Sequence, residues 1–345
     1  MLASVNSRFR RVVWLSVFLV GCAPAGAPTL PSPGSGGGKI AASAPATDST
    51  PTPPSFGPIE QRQQLPLPQP REELAAAELD GTMFFVAGFD AAGRDTNTVF
   101  TYKHAALSTP GAAINGSWSV GPPLPEALDH PAAAVLLGQL YVAGGFSAGR
   151  ARATVYRLAQ NHWEKVASLQ HPRAAFALVP LAGRLYALGG RNSAMSSVAE
   201  SESYDPASGT WSDLPALPAA RHHVAGFAYQ DMACVAGGKF PYTARVDCLD
   251  PATRTWHRLP DLPQATSGAG VIMRAGHPVV VGGEGDAVVP WVFTLIGATW
   301  QRDPMLLPRH GTGVATLADR AWVCGGGALA GLHPSSLCTS IGPLS

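Results

Sequence analysis

A doubled glycine closing an apolar strand recurs six times in this chain and limits what it can fold into more than any other feature. The copies are Phe85-Val86-Ala87-Gly88, Val142-Ala143-Gly144-Gly145, Ala187-Leu188-Gly189-Gly190, Val235-Ala236-Gly237-Gly238, Val280-Val281-Gly282-Gly283 and Val323-Cys324-Gly325-Gly326, the first with Ala87 in a glycine's place. Six residues before each first glycine position stands a turn former: Gly81, Gly138, Gly183, Asp231, Gly276 and Asp319. Trp118, Trp163, Trp211, Trp256 and Trp300 follow in step, 45, 48, 45 and 44 residues apart, and Leu-Pro-x-Leu-Pro runs such as 214–218 and 259–263 follow several of them. Such a period marks a repeat architecture. Each unit reads as four short strands, at 174–180, 185–188, 199–204 and 210–213 in the third. One small sheet cannot cover both of its faces, so the units must stack around an axis. A helical chain is excluded by 38 Gly and 32 Pro in 345 residues, since both residues are costly inside helices.

The order of these elements resembles the kelch repeat, in which an apolar strand, a turn, a strand ending in Gly-Gly, a strand ending near Tyr-Asp-Pro and a Trp strand succeed one another. Tyr204-Asp205-Pro206 and Leu249-Asp250-Pro251 fit the third element. The resemblance covers residues 58–345 and implies an all-β, six-bladed kelch-type β-propeller. An array of immunoglobulin-like sandwiches would repeat at about 100 residues and needs no doubled glycine. No Trp strand follows Cys338, so the sixth unit lacks its outer strand. Aligned on Leu65-Pro66-Leu67-Pro68, the segment from Ile59 matches the Trp256 strand with Arg62 in the tryptophan's place. It is expected to supply the missing strand and close the ring, removing an edge prone to aggregation.

Ahead of the repeats, Arg8, Arg10 and Arg11 precede the nine-residue apolar run Val12–Val20, too short for a bilayer span of about 20 residues. The run ends in Leu19-Val20-Gly21-Cys22, which resembles the lipobox of bacterial lipoproteins. The expected organisation is a signal peptide at 1–21, a lipidated Cys22 opening a Pro/Gly/Ser/Ala/Thr tether at 22–57, and the propeller at 58–345. This implies a lipid-anchored protein of the bacterial cell envelope, touching a membrane only through its N-terminal lipid; Ala23, where an Asp is associated with inner-membrane retention, favours the outer membrane. The alternative is an ordinary secretory signal with an incidental cysteine. The remaining cysteines form two pairs of equal spacing, Cys234 with Cys248 and Cys324 with Cys338, 14 residues apart and each running from a second strand to a third. Disulfides are expected there, with buried free thiols as the alternative; each loop closure would contribute about 3 kcal/mol under the chain-entropy model.

Sixteen residues before each first glycine position stand Arg71, Leu128, Arg173, Arg221, Thr266 and Arg309, with Glu72, Asp129, His222, His223 and His310 close behind. The kelch resemblance implies that this segment lies at one mouth of the central channel, beside loops that carry Arg150, Arg152, Arg191 and Lys239. A ring of guanidinium groups suits a bidentate hold on carboxylate or phosphate. Arg71, Arg173, Arg221, His222, Arg309 and His310 are therefore expected to bind an anionic ligand, on a protein partner, an acidic peptide or an acidic sugar. The alternative is that the arginine serves the repeat's own hydrogen bonding. No nucleophile elbow, Walker sequence or dinucleotide fingerprint occurs, and His222-His223 lacks metal-ligand spacing, so neither cofactor nor metal is expected. The Tyr, Cys and His constellation of copper radical oxidases is not matched. With 24 Lys+Arg against 23 Asp+Glu, the chain lacks the basic excess of a nucleic-acid binder. The reading is an extracytoplasmic binding module rather than an enzyme. The alternative is a carbohydrate-active propeller such as the exported, six-bladed bacterial sialic-acid mutarotases.

Overall fold

A computed structural model of the chain describes residues 57–104 and 116–344; the signal peptide, Cys22 and nearly all of the tether expected above lie outside the described residues. The third blade shows the pattern. Its strands Ala177–Leu181, Arg184–Leu188, Ser201–Asp205 and Thr210–Leu214 lie side by side in chain order, all antiparallel. The inner strand begins three residues later than the sequence pattern indicates. Ala174 makes an isolated bridge to Arg191, and Ala175 turns left-handed at φ 52°, so extended pairing starts only at Ala177. Five further four-stranded sheets repeat this plan. Their inner strands are neighbours in order, and the sixth, Gly313–Leu317, lies against the first, Ala75–Leu79. The six-bladed propeller is closed.

Closure is made by the N-terminal strand Glu60–Gln64, which pairs with Cys338–Gly342 from Glu60 opposite Gly342 to Gln64 opposite Cys338. The tryptophan's register in this blade belongs to Gln61 and not, as aligned above, to Arg62. Trp256 faces Leu249 and Gln61 faces Ile341, each the next-to-last residue of its third strand. The exchange has a physical reason. The Trp163, Trp211, Trp256 and Trp300 indoles donate at 2.8–3.0 Å to the carbonyls of Pro122, Ala167, Pro215 and Pro260, which ties each outer strand to the segment leaving the preceding blade. Gln61 makes the same tie with its amide: Nε2 donates to the Pro304 carbonyl at 2.6 Å and Oε1 accepts from the Leu306 N–H at 2.7 Å. Arg62 lies in solvent beside Glu60.

The doubled glycines join blade to blade. The second glycine's N–H donates to the carbonyl of the residue that opens the next blade: Gly145 to Arg173, Gly190 to Arg221, Gly238 to Thr266, Gly283 to Arg309, and Gly326 back to Arg71. Gly88 makes the first such bond to Leu128, so six bonds run around the ring. The first glycine is needed for the approach. A Cβ on Gly237 would stand 2.2 Å from the Thr266 carbonyl oxygen, and one on Gly144 would stand 2.4 Å from that of Arg173. Outside these contacts, apolar clusters fill each interface between blades. Phe176, Leu178, Tyr204 and Trp211 of blade three meet Leu136 and Tyr141 of blade two, and Met83, Phe85 and Tyr102 meet Trp322 where the ring closes. Burying such side chains contributes roughly 1.5–3 kcal/mol each. Cys234–Cys248 and Cys324–Cys338 are disulfides between residues directly opposite one another on the second and third strands of blades four and six.

The repeated arginines do not line the mouth. Arg71, Arg173, Arg221 and Arg309 are at most 2% exposed and act inside the blade wall. Arg173, Arg221 and Arg309 donate at 2.6–2.9 Å to the carbonyls of Gly189, Gly237 and Gly325, the first glycine of their own blade, and Thr266 makes the same bond to Gly282 through its hydroxyl. Arg173 then pairs with Glu202 at 2.9 Å and Arg221 with Asp247 at 2.7 Å on the third strand. Arg309 has only carbonyls and the Thr339 hydroxyl as partners, and burial pulls its pKa down to about 10. Arg71 bonds Pro70 and Gln69 and lies 5.0 Å from the Phe100 ring centre. The expectation of an arginine-lined anion site is corrected: a strand-entry side chain pointing back across its own sheet reaches the third strand, not the channel.

Two measurements follow. Deleting residues 58–68 removes the closing strand and is expected to lower Tm by about 10 °C or more, at roughly 2–4 °C per kcal/mol, whereas deleting residues 23–50 leaves Tm unchanged in calorimetry. Arg173→Met strands the buried Glu202 carboxylate and is expected to cost about 3–5 kcal/mol in urea unfolding, while Arg62→Ala has no measurable effect.

Candidate functional site

With the arginines in the wall, the channel mouth is built by the residues one and two positions after them. The second of these is Glu73, His130, Ala175, His223, Gly268 and Gly311 in blades one to six, and all six are left-handed, with φ between 49° and 61°. The conformation turns each N–H toward the preceding blade. Glu73 donates to Gly311, His130 to Glu73, Ala175 to His130, His223 to Ala175, Gly268 to His223 and Gly311 to Gly268, at 2.7–3.0 Å. The hydrogen bonds close a ring around the axis. Glycine adopts such a φ freely, whereas other residues pay strain for it, yet Glu73, His130 and His223 hold long polar side chains here.

Those three side chains converge. His130 Nε2 is 2.9 Å from His223 Nε2 and 3.4 Å from Glu73 Oε2, and His223 Nε2 is 3.8 Å from Glu73 Oε1. The far nitrogens are engaged behind them: His130 Nδ1 with the Asp129 carboxylate, and His223 Nδ1 with His222 Nδ1. His222 is fully buried, its ring 5.3 Å from that of Phe240. A Cβ on Gly311 would come within 2.8 Å of Glu73 Oε1, so the sixth blade's glycine makes room for that carboxylate.

A second shell of charge lies above the ring. His310 Nε2 faces the carbonyls of Leu329 and Gly331 at 3.0 and 3.1 Å, which fixes its proton on that nitrogen, with Glu72 Oε1 3.4 Å away. Its Nδ1 is buried without a hydrogen-bond partner, 3.9 Å from Glu73 Oε1. Glu284 accepts from Lys239 at 2.6 Å, and Glu72 accepts from the His333 N–H at 2.6 Å. Burial, reinforced by Glu73, pushes the Glu72 carboxyl up to about 8. Burial, with Arg191 and Lys239 nearby, pulls His222 down to about 3, and burial beside His130 holds His223 well below the usual range. Burial also opposes the His130 imidazolium, but Glu73 and Asp129 outweigh it and its pKa is raised. At neutral pH the mouth therefore holds neutral His222 and His223 and a largely protonated Glu72, while Glu73 and Asp129 favour the charged form of His130.

Of the residues singled out from sequence, His310 lines the mouth cavity of about 270 Å³, along with Glu72, Glu73, His130, His223, Arg191, Lys239 and Glu284. His222 supports it from behind. Arg71, Arg173, Arg221 and Arg309 stay outside it. Glu73 and His130 were missed, although counting two positions past the repeat arginine reaches both. The absence of metal-ligand spacing was a property of the linear chain; the ring gathers Glu73, His130 and His223 into a group able to hold a metal ion.

The kelch motif model matches residues 172–218, the stretch from just before Arg173 to the end of the third blade's Leu-Pro run. Among curated proteins, Kelch-like protein 33 of Homo sapiens is 38% identical over 123 residues, 34% of this chain and 22% of the relative. Kelch-like protein terF of Aspergillus terreus is 28% identical over 212 residues, 56% of this chain and 44% of the relative. The chain thus spans less than half the length of these relatives. Among solved structures, that of YjhT is similar with a TM-score of 0.66 at 15% identity, covering 79% of this chain and 95% of that one. The fold is a six-bladed kelch-type β-propeller, and the motif match and the relatives support a kelch-repeat protein.

Proposed function

We propose that the chain is an exported, lipid-anchored binding module of the bacterial cell envelope, which holds an acidic segment of a protein partner across the channel mouth. The observation that carries this is the rim. Of the ten exposed large apolar side chains among the described residues, Met195, Phe240, Tyr242, Leu329 and Leu332 all belong to loops that follow a doubled glycine, which puts them on the mouth's face. Phe240 and Leu332 line the same cavity as the charged groups. Exposed apolar residues gathered beside polar groups are the surface chemistry of a protein interface. The anionic preference now rests on Arg191, which lines the mouth, and on the exposed Arg150, while Arg152 is held by Glu126 and Lys239 by Glu284.

A displayed peptide library panned on the purified protein tests the proposal. Peptides carrying Asp or Glu beside apolar residues are expected to be enriched and to bind more weakly as salt rises. Replacing both Phe240 and Leu332 by Ser is expected to weaken binding by about tenfold or more, or 1.4 kcal/mol, without changing Tm. Enrichment of no such peptides would count against it. Mass spectrometry of the mature protein is expected to find lipid on Cys22; an unmodified N-terminus downstream of Cys22 would refute the anchor. A second reading, anomer exchange of an acidic sugar, draws support from acidic and basic groups standing together at Glu73, His130 and His223. Proton NMR of sialic acid with and without the protein separates the two, since a binding module leaves the exchange rate unchanged.

A further inference from the structure

We propose that Glu73, His130 and His223 form a binding site for one divalent transition-metal ion, Zn2+ being the best fit, at the floor of the channel mouth. The donor set is two imidazoles and one carboxylate. Such a set selects zinc and similar ions over Mg2+ or Ca2+, which prefer oxygen ligands throughout.

The distances suit an ion. Ligand atoms at 2.0–2.1 Å from a metal stand about 2.9 Å apart at a right angle and about 3.4 Å apart in a tetrahedron. His130 Nε2 and His223 Nε2 are 2.9 Å apart, with Glu73 Oε2 3.4 Å from the first and Glu73 Oε1 3.8 Å from the second. One carboxylate oxygen faces each imidazole, so a small turn of the Glu73 carboxyl brings an oxygen into the shell of an ion held by both rings. Both imidazoles present Nε2 because Nδ1 is taken, in His130 by a carboxylate and in His223 by a neighbouring ring. A carboxylate on the far nitrogen of a ligating histidine fixes its orientation and strengthens it as a donor, and Asp129 stands in that place.

Two independent features point the same way. His310 Nδ1 is buried, lacks a hydrogen-bond partner and lies 3.9 Å from Glu73 Oε1, leaving a further lone pair beside the same carboxylate. The triad also occupies positions whose φ favours glycine, and blades five and six do use glycine there. The ring bonds need only the backbone, so they account for the conformation but not for the side chains. Three ligands leave coordination positions open to the mouth cavity above and to the channel below, both lined by all three residues. Water or a ligand carboxylate can complete the shell. The site does not depend on the partner proposed above: peptide binding that persists in EDTA would separate the two.

The experiment is calorimetric titration of untagged, EDTA-stripped protein with ZnCl2, and with MgCl2 as the contrast. One saturable zinc site of micromolar affinity or tighter is expected, with a higher Tm in zinc and no response to magnesium. His130→Ala, His223→Ala and Glu73→Gln are each expected to weaken zinc binding, and Asp129→Asn to weaken it roughly 10–100-fold. His162→Ala and His171→Ala, which change histidines in the outer part of the blades, are expected to bind zinc as before. Zinc binding that survives in the His130→Ala/His223→Ala double variant, or that is lost with His162 or His171, overturns the proposal, as does the lack of a saturable site. Should the triad variants fail to fold, X-ray absorption of the zinc-loaded native protein reads the ligands directly: two imidazoles, or three with His310, together with oxygen uphold the site, and a set with fewer than two imidazoles or with sulfur refutes it.

Discussion

Between each blade and the next, two backbone hydrogen bonds near the axis carry the ring. One runs from the second glycine of a doubled pair to the carbonyl that opens the following blade; the other joins the left-handed residues two positions further on. Both series return to the first blade, so neither leaves an unpaired donor or acceptor at an end. Buried backbone groups must be satisfied, and six small sheets meeting edge-on at an axis could not otherwise satisfy theirs. The glycines and the left-handed turns are consequences of that requirement. A Cβ at Gly237 or Gly282 would stand 2.2 or 2.4 Å from the carbonyl oxygen to which the next glycine donates.

The strand-entry arginine of blades three, four and six belongs to the same device. By donating to the first glycine's carbonyl it holds the end of the second strand in place, and its other nitrogens reach the third strand. Three strands of one blade are thereby locked at the level where the next blade docks. Burying a guanidinium is costly unless it is paired and fully hydrogen-bonded. Blades three and four meet that cost with Glu202 and Asp247, blade six with carbonyls and Thr339 alone, and blade five avoids it with Thr266. In blades three to six the shared element is the bond to the glycine carbonyl rather than the charge, whereas Arg71 of blade one bonds Pro70 and Gln69 and blade two carries Leu128.

Functional character enters where the blades differ. At the left-handed position, Ala175, Gly268 and Gly311 are the undemanding choices, and Glu73, His130 and His223 are the demanding ones. The loops after the doubled glycines differ from blade to blade in the same way, Phe240 projecting where other blades carry Asp90, Ser147, Asn192, Gly285 and Ala328. A symmetric scaffold thus presents an asymmetric mouth: a polar floor of histidines and carboxylates inside an apolar rim.

The number of blades, the strand that closes them and the two cysteine pairings could be read from the amino-acid sequence, because each depends on spacing along the chain. A repeat of turn, doubled glycine and tryptophan specifies which strands are neighbours, and cysteines on adjacent strands of one hairpin meet whatever the rest of the ring does. Even so, Gln61 rather than Arg62 held the tryptophan's register, since the tie to the preceding blade, invisible in a linear alignment, decided it. The site depended on tertiary structure altogether. Whether Arg173 and Arg221 face the channel or their own third strand turns on the direction of one side chain at a strand entry, and buried Glu202 and Asp247 drew them inward. Glu73, His130 and His223 come from three separate blades, and only closure around the axis makes neighbours of them.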